Sequence, residues 1–538
     1  MSKRFIVDFR IATSERDSFF TSSWNWPVKS ETYDDPFREF VNWAHGLSAQ
    51  LKDKPELRTA YELIQADLLN DLASITGTWI DVSTAKQQNL ELIYGPDLQI
   101  YELIDQDQTD GFSPLHDARN AGRLQTRNPV RRLASLAKKT LHNHNNKIKR
   151  YPNVHAIGVN PLLLEIIDNS ANFFNITHAT VAAQRPATQS KNPVISELAR
   201  EIQQQLSDRL TNANHAPTKN LDIRIKQLVT NYLFNGWNDK DFKLEFTPTP
   251  QMTLYTGTGG GYLNRTVAHA FQKNGASVIR TTHGGDQVLF NDPLWPSMEL
   301  PFSDTYVTFG VSAAEVTKDK AALHMSIQQS NNSRSIVASG SRFHQQILDR
   351  SSDSNQVRTV HVISASFSGK RRAIPNIKIH DIVYLDWHRR LLRSVKSAGF
   401  ITIAKRHPKG IGPDAHIFDD IASEELRQLN MADTVDQADA FVFDIVGSAF
   451  MEALCTLKPI VLIEIPNRRL TEKARVQLKT HISVIEATFD ENNRVTIDCD
   501  QLISGLGIPV DLTARHKFIS DYLTSSNVSE NNLDMIHL

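Results

Sequence analysis

The chain has 538 residues, of which 40% are hydrophobic and 22% charged, a globular composition that excludes general disorder and fibrous repeats. At roughly 100–200 residues per domain, that length holds three or four domain-sized units or two large ones. Its 59 Lys+Arg against 60 Asp+Glu leave a net charge of -1, which gives no whole-chain electrostatic grip on nucleic acid.

The cysteines, Cys455 and Cys499, cannot build a disulfide framework, so a reducing compartment is expected. No window supplies the ~20 apolar residues of a membrane-spanning helix. Asp8 and Arg10 stand where a signal peptide needs its apolar core. The expectation is a soluble, cytoplasmic protein.

Residues 1–95 read as a helical N-terminal extension, with Phe37, Phe40, Val41, Ala44 and Leu47, then Ala60, Leu63, Ile64, Ala66, Leu68 and Leu69, at helical spacing. Trp24 and Trp26 are open to two readings, a platform for a sugar ring or aromatics that pin a loop. From Ala118 to Arg150 there are ten Lys/Arg and no Asp or Glu. Such a run is either a solvated helix face or a patch for anionic lipid headgroups, a polyanionic glycan or RNA; without interleaved aromatics, nucleic acid is not expected as a partner.

Beyond residue 150 the pattern becomes β/α. Strands are predicted at Met252–Tyr255, Ser277–Thr281 and Tyr306–Phe309, with a helix from about Asn264 to Asn274. Polar stretches follow at Ser326–Ser335 and Ser351–Gln356. The alternation then restarts with strand Thr359–Ser364, helix Ile382–Ala398, strands Phe400–Ala404 and Ala440–Asp444, helix Ser448–Leu454 and strand Ile460–Ile465. Alternation of this kind implies parallel sheets with crossover helices, hence an α/β chain with two Rossmann-like domains facing across a cleft. The division is 1–95, 96–345 with the basic segment 118–150 inside it, 346–510, and a C-terminal helix and tail at 511–538.

In the first block, Gly257, Gly259, Gly260 and Gly261 sit between strand and helix, where backbone can approach a ligand closely. No Gly-Lys-Ser/Thr follows, so this is not a P-loop, and Tyr262 breaks a dinucleotide fingerprint. Strand 277–281 then delivers His283-Gly284-Gly285-Asp286, where a carboxylate has the chemistry of a nucleophile or a base. In the second block, Ser364–Arg372 follows the first strand, with Ser366, Ser368, Gly369 and Lys370 suited to a phosphate. Lys405-Arg406-His407-Pro408 ends the next strand, and Pro408 holds His407 extended. Gly447 and Ser448 then open a helix whose N-terminus suits an anion. Glu452, one turn on, is placed for a ribose.

This second half resembles the donor domain of GT-B glycosyltransferases, in particular the bacterial capsule and lipopolysaccharide enzymes that use CMP-activated ulosonic acids. The resemblance rests on His407, Pro408 and Ser448 and spans roughly residues 250–470. It implies CMP held by His407, Ser448 and the Ser366–Arg371 loop, and a GT-B pair with residues 96–345 on the acceptor side and 346–510 on the donor side. Gly285-Asp286 looks similar to the Gly-Asp that carries the nucleophile in the retaining β-Kdo transferases. The expected reaction is transfer of Kdo or a related nonulosonic acid to a surface glycan. Asp286 and His283 are then catalytic, Arg265 and His283 meet the sugar carboxylate, and Gly259, Gly260, Gly261 and Asn264 line the sugar side. Thr109-Asp110-Gly111 is a rival position for the base, since related inverting families carry an acidic pair before glycine.

No metal or cofactor is expected. Asp105-Gln106-Asp107 and Asp498-Cys499-Asp500 follow no strand of the two blocks and read as solvated acids. The remaining readings are a CDP-glycerol- or UDP-sugar-dependent transferase, a nucleotide-sugar 2-epimerase, and a non-enzymatic glycan- or membrane-binding scaffold. Docking on the inner membrane, if it occurs, falls to residues 118–150.

Overall fold

A computed structural model describes residues 4–104 and 153–524, apart from residues 22, 96–97, 99–100, 103, 168–172, 179–180, 182–191, 213–217, 293, 325–333, 352–355, 368–378, 409–415 and 467. The basic run, Asp110, Asp105 and Asp107 lie outside the described residues, as do Ser368, Gly369 and Lys370 of the loop read as phosphate-binding.

Two six-stranded sheets dominate. The first runs β4(Phe174–Asn175)-β3(Val154–Ile157)-β5(Thr253–Thr256)-β6(Ser277–Thr281)-β7(Thr305–Thr308)-β8(Ser335–Ala338). The second runs β11(Glu424–Leu426)-β10(Ile401–Lys405)-β9(Thr359–Ile363)-β12(Ala440–Phe443)-β13(Ile460–Glu464)-β14(Ser483–Glu486). Every pairing in both is parallel. Counted within the second block, its order is 3-2-1-4-5-6, the Rossmann order, with its reversal between β9 and β12. In the first sheet the reversal falls between β3 and β5. Two Rossmann-like α/β domains are thus present.

The central strands form because they are apolar on both faces: Ala440–Phe443 and Ile460–Glu464 are buried at every position. A parallel sheet covered by helices on both sides demands that continuous run. β3, β4, β8, β11 and β14 were not among the predicted strands. They are short, and all five lie at or next to a sheet edge, where less burial is needed and the apolar signal fades.

The helical part is larger than its sequence suggested. The 33-residue helix Pro55–Gln87 starts on a proline at its first position and is apolar around most of its circumference, so it must be enclosed. Helices Ser30–Gln50 and Lys219–Asp239 pack against it, and Pro193–Asn212 packs on both of these. The last two leave the chain between β4 and β5, so the first α/β domain contributes half of the bundle. Carboxylates buried in the long helix are paired, as burial requires: Asp67 with Arg265 at 2.8 Å, Asp71 with the Tyr232 hydroxyl at 2.5 Å, and Asp81 with the hydroxyls of Tyr33 and Tyr101.

The N-terminal segment reaches the second domain instead. Trp26 donates its backbone N–H to the Asn492 carbonyl at 3.0 Å, packs its ring on His380 at 4.5 Å, and with Trp24 lies buried in a cluster with Phe5, Phe19 and Phe20. Both tryptophans pin the chain; neither has a free face for a sugar. At the other end, helix Leu512–Tyr522 returns to pack on Val311–His324 of the first domain. Arg515 fixes it by donating to the carbonyls of Leu454, Lys458 and His481 at 3.2, 3.4 and 2.8 Å. Among the described residues no helix is long and apolar enough to cross a membrane.

Candidate active site

Ligands bind at the C-terminal ends of the strands in open α/β sheets, and here the loop after β6 in the first sheet comes against the helix that follows β12 in the second. On the second domain, the exits of β9 and β12 flank the reversal. Helix Asp381–Ser397 bridges them: the Tyr384 hydroxyl accepts the Ala365 N–H at 2.8 Å and donates to Asp444 at 2.8 Å. Trp387 Nε1 also donates to Asp444 at 2.8 Å, and His388 Nε2 lies 2.8 Å from the same carboxylate. This network fixes both strand exits before any ligand arrives. The sequence placed Asp444 at a strand end but offered no sign that three side chains of one helix converge on it.

Ser366 sits half-buried after β9, with Phe367 beside it packed on Phe9 at 4.7 Å. His407 is exposed at the end of β10, and Pro408 follows it half-buried. Ser448, exposed, is the first residue of its helix; Gly447 caps that helix from an extended conformation with open space around its α-carbon. Two buried polar atoms near these positions have no protein partner, Ser364 Oγ after β9 and Glu452 Oε2 after β12. Lys405, buried, gives its ammonium protons to the carbonyls of Arg406 and Leu429 at 3.0 and 2.6 Å, which places it below the site as a brace for the loop after β11. The end of β11 and that loop, Glu425–Leu429 together, line a hollow of about 400 Å³ next to the end of β10, which the sequence does not signal.

Burial pushes the Glu452 carboxyl up to about 7, against the opposing charge of Lys405, and burial pushes the Lys405 ammonium down to about 8. A carboxyl raised above its unfolded value of 4.5 costs stability above that pH, with the cost complete once the folded form also ionises near 7. Glu452→Gln is therefore expected to raise the melting temperature at pH 8 by a few degrees, for at most ~3 kcal/mol, and to do nothing at pH 4.5. Melting curves at the two pH values check this.

On the first domain the glycine loop is closed on itself. Glu299, buried, accepts the N–H groups of Gly259 and Gly260 at 2.5 and 3.0 Å and the Thr258 hydroxyl at 2.7 Å. A side chain at Gly259 would strike Arg280 and the carbonyls of Met298 and Glu299, so the glycines there serve internal packing. An internal carboxylate thus fills the nest offered above to a ligand. Gly261 opens helix Tyr262–Lys273, and Asn264 inside that helix bonds to the Thr258 carbonyl at 2.9 Å and to His178 at 2.7 Å.

Arg265 must also be reassigned. It is fully enclosed and donates to the Leu63 and Gly259 carbonyls at 3.0 and 2.6 Å and to Asp67, so its charge is spent on joining this domain to the helical bundle. Asn160, unremarked in the sequence, ties the strand exits together by donating to the carbonyls of Gly257 and Thr282 at 2.6 and 2.9 Å. Asp498 proves to be a helix cap, accepting the N–H groups of Asp500 and Gln501. Among the described residues no group of three or more His, Cys, Asp or Glu is arranged to hold a metal.

Asp286 and His283 lie in the loop after β6, which reaches the second domain. Gly285 turns with φ +75°, a left-handed conformation that favours glycine, and Asp286–Leu289 follow as a short 3₁₀ turn. Lys320 clamps that turn by donating to the Gln287 carbonyl at 2.7 Å and to the Phe290 carbonyl. A β-carbon at Gly284 would stand 2.7 Å from Asp286 Oδ1 and 3.5 Å from the backbone nitrogen of Ser448. The loop of Asp286 therefore abuts the first residue of the second domain's helix. Asp286 is buried, His283 exposed; burial raises the Asp286 carboxyl, with Arg468 and His283 opposing.

No family model and no curated protein matches the chain. Among solved structures it is similar to a glycosyltransferase from Rickettsia africae ESF-5 at 12% identity, over 70% of this chain and 86% of that one, with a TM-score of 0.32. It is also similar to Arabidopsis thaliana UGT89C1 complexed with UDP (10% identity, 71% and 91% covered, TM-score 0.35). The glycotransferase of kitacinnamycin matches at 11% identity, over 72% and 99%, with a TM-score of 0.34.

Proposed function

We propose that the chain is a glycosyltransferase that moves an acidic sugar, Kdo or a related nonulosonic acid, from a CMP-activated donor to a bacterial surface glycan. The observation that carries the reading is the meeting of Asp286 with the Ser448 helix start across Gly284. Gly284 brings a carboxylate of one domain and the strand-exit helix of the other to one place, the relation that sugar transfer from a nucleotide requires. In this reading Ser448, His407 and Ser366 hold the phosphate, and the unpartnered Glu452 Oε2 and Ser364 Oγ take the ribose or base. His283, exposed beside Asp286, meets the sugar carboxylate in place of Arg265. Lys405 and Pro408 shape the phosphate side without touching the ligand.

The test is a thermal-shift panel of CMP, CDP, UMP, UDP, GDP and NAD. A ligand that binds only the folded state at about a hundred times its Kd adds ~2.7 kcal/mol, a shift of several degrees for a chain of this size. Stabilisation by CMP that disappears in His407→Ala is the expected result. Stabilisation by UDP or CDP alone replaces the donor, and silence across the panel leaves the scaffold reading.

A further inference from the structure

The two domains are stitched together beside Asp286. Phe290 and Leu470 form an antiparallel bridge, the Thr471 N–H donates to the Leu289 carbonyl at 2.8 Å, and the Asn291 N–H donates to the Arg469 carbonyl at 3.3 Å. Inside this seam lies Arg468, delivered by the segment after β13. Its guanidinium carbon sits 3.8 Å from the centre of the Phe290 ring, and Nη2 approaches Asp286 Oδ2 at 3.5 Å. The two side chains are 11% and 9% exposed, so little water screens them.

The surroundings of Asp286 are mixed. His283 stands in its own loop, Lys320 on helix Val311–His324, the Tyr306 phenol on β7, and Asp292 further along the seam near both Lys320 and Arg468. Lys320 is committed to two carbonyls. Among the described residues, the ion pair of Asp286 is the one with Arg468, and it crosses from one domain to the other.

We propose that Arg468 is a positioning residue, carried by the second domain, that keeps Asp286 a carboxylate after the closed seam has removed its water. The inference rests on the reading of Asp286 as the reacting group. A carboxyl stripped of solvent takes up a proton unless a cation replaces the lost hydration. Here that cation arrives with domain closure, so a dehydrated yet charged carboxylate exists only when both halves are assembled. The Phe290 ring holds the guanidinium from one side and limits the orientations it can adopt.

A cycle of four full-length proteins tests this without a substrate: wild type, Arg468→Gln, Asp286→Asn and the double variant, melted at pH 7.5 and 4.5. Arg468→Gln is expected to lower the melting temperature more at pH 7.5 than at pH 4.5, and that difference is expected to vanish in the Asp286→Asn background. Equal losses at both pH values, or a difference that survives in the Asn background, overturn the proposal. CMP release from CMP-Kdo supplies the functional arm. Arg468→Gln is expected to move the acid limb of kcat upward by a pH unit or more, with recovery at high pH and rescue by Arg468→Lys. A uniform loss at every pH marks a merely structural residue and also overturns it. Absence of CMP release by the wild-type protein counts against the donor assignment alone, since the melting cycle reads the pair by itself.

Discussion

Asp286→Asn is expected to lower turnover of the nucleotide sugar at least a thousandfold, on the scale of roughly 10³–10⁶ for loss of a reacting group. The nucleotide-induced thermal shift should survive, because the phosphate-side groups belong to the other domain. The fold should survive too: asparagine keeps an oxygen for Arg468, and the 3₁₀ turn remains clamped by Lys320. Steady-state kinetics and a parallel melting curve separate the two effects. Near-normal turnover in a folded variant moves the chemistry elsewhere, with Asp110 first in line. If Asp286 is the nucleophile, intact-protein mass spectrometry after mixing with donor shows a glycosyl adduct on the wild type and none on the variant; if it is a base, neither carries one.

The second large effect is a steep loss of stability in mild acid. His155, His344 and His361 are buried, and burial pushes each from 6.5 down to about 4. Neither ring nitrogen of His361, in central strand β9, has a hydrogen-bond partner. Above pH 6.5 such a histidine is neutral in both the folded and unfolded chain and costs nothing. As pH falls toward 4, the unfolded chain binds a proton that the folded one refuses, so stability drains through that window. Each group withdraws at most ~3 kcal/mol, and three together rival the ~5–15 kcal/mol that holds a typical domain together. Melting temperature is expected to fall sharply between pH 6.5 and 4.5. His361→Leu, close to histidine in volume, should flatten the fall and be more stable than wild type at pH 4.5. An unchanged slope in that variant counts against buried histidine as the cause.

These expectations mix what local sequence shows with what it hides. The strands at 277–281, 359–363, 401–405, 440–443 and 460–464 were legible to within a residue at each end. A parallel strand buried on both faces is mostly apolar along its whole length, and that run is visible without any partner. The same reasoning failed for the short strands at and near the sheet edges. It also missed helices Pro193–Asn212 and Lys219–Asp239, whose apolar stripes acquire meaning only from the bundle they complete.

Composition and periodicity were thus enough for an α/β chain of two Rossmann-like blocks, and for the loops at their strand exits, because those properties are local and repeat along the chain. Which side chains reach the cleft was a matter for packing alone. Arg265 and Arg468 are both arginines beside candidate loops, yet one is turned inward to Asp67 and the other lies over Phe290 facing Asp286. The glycines at 259–261 look like an anion cradle until Glu299, brought near by the loop that follows strand β6, fills it. A charge has no local signature for its partner. Partners far apart in sequence meet only when the sheets and the seam between them have formed, and at that point burial, more than residue type, sets which group is free to act.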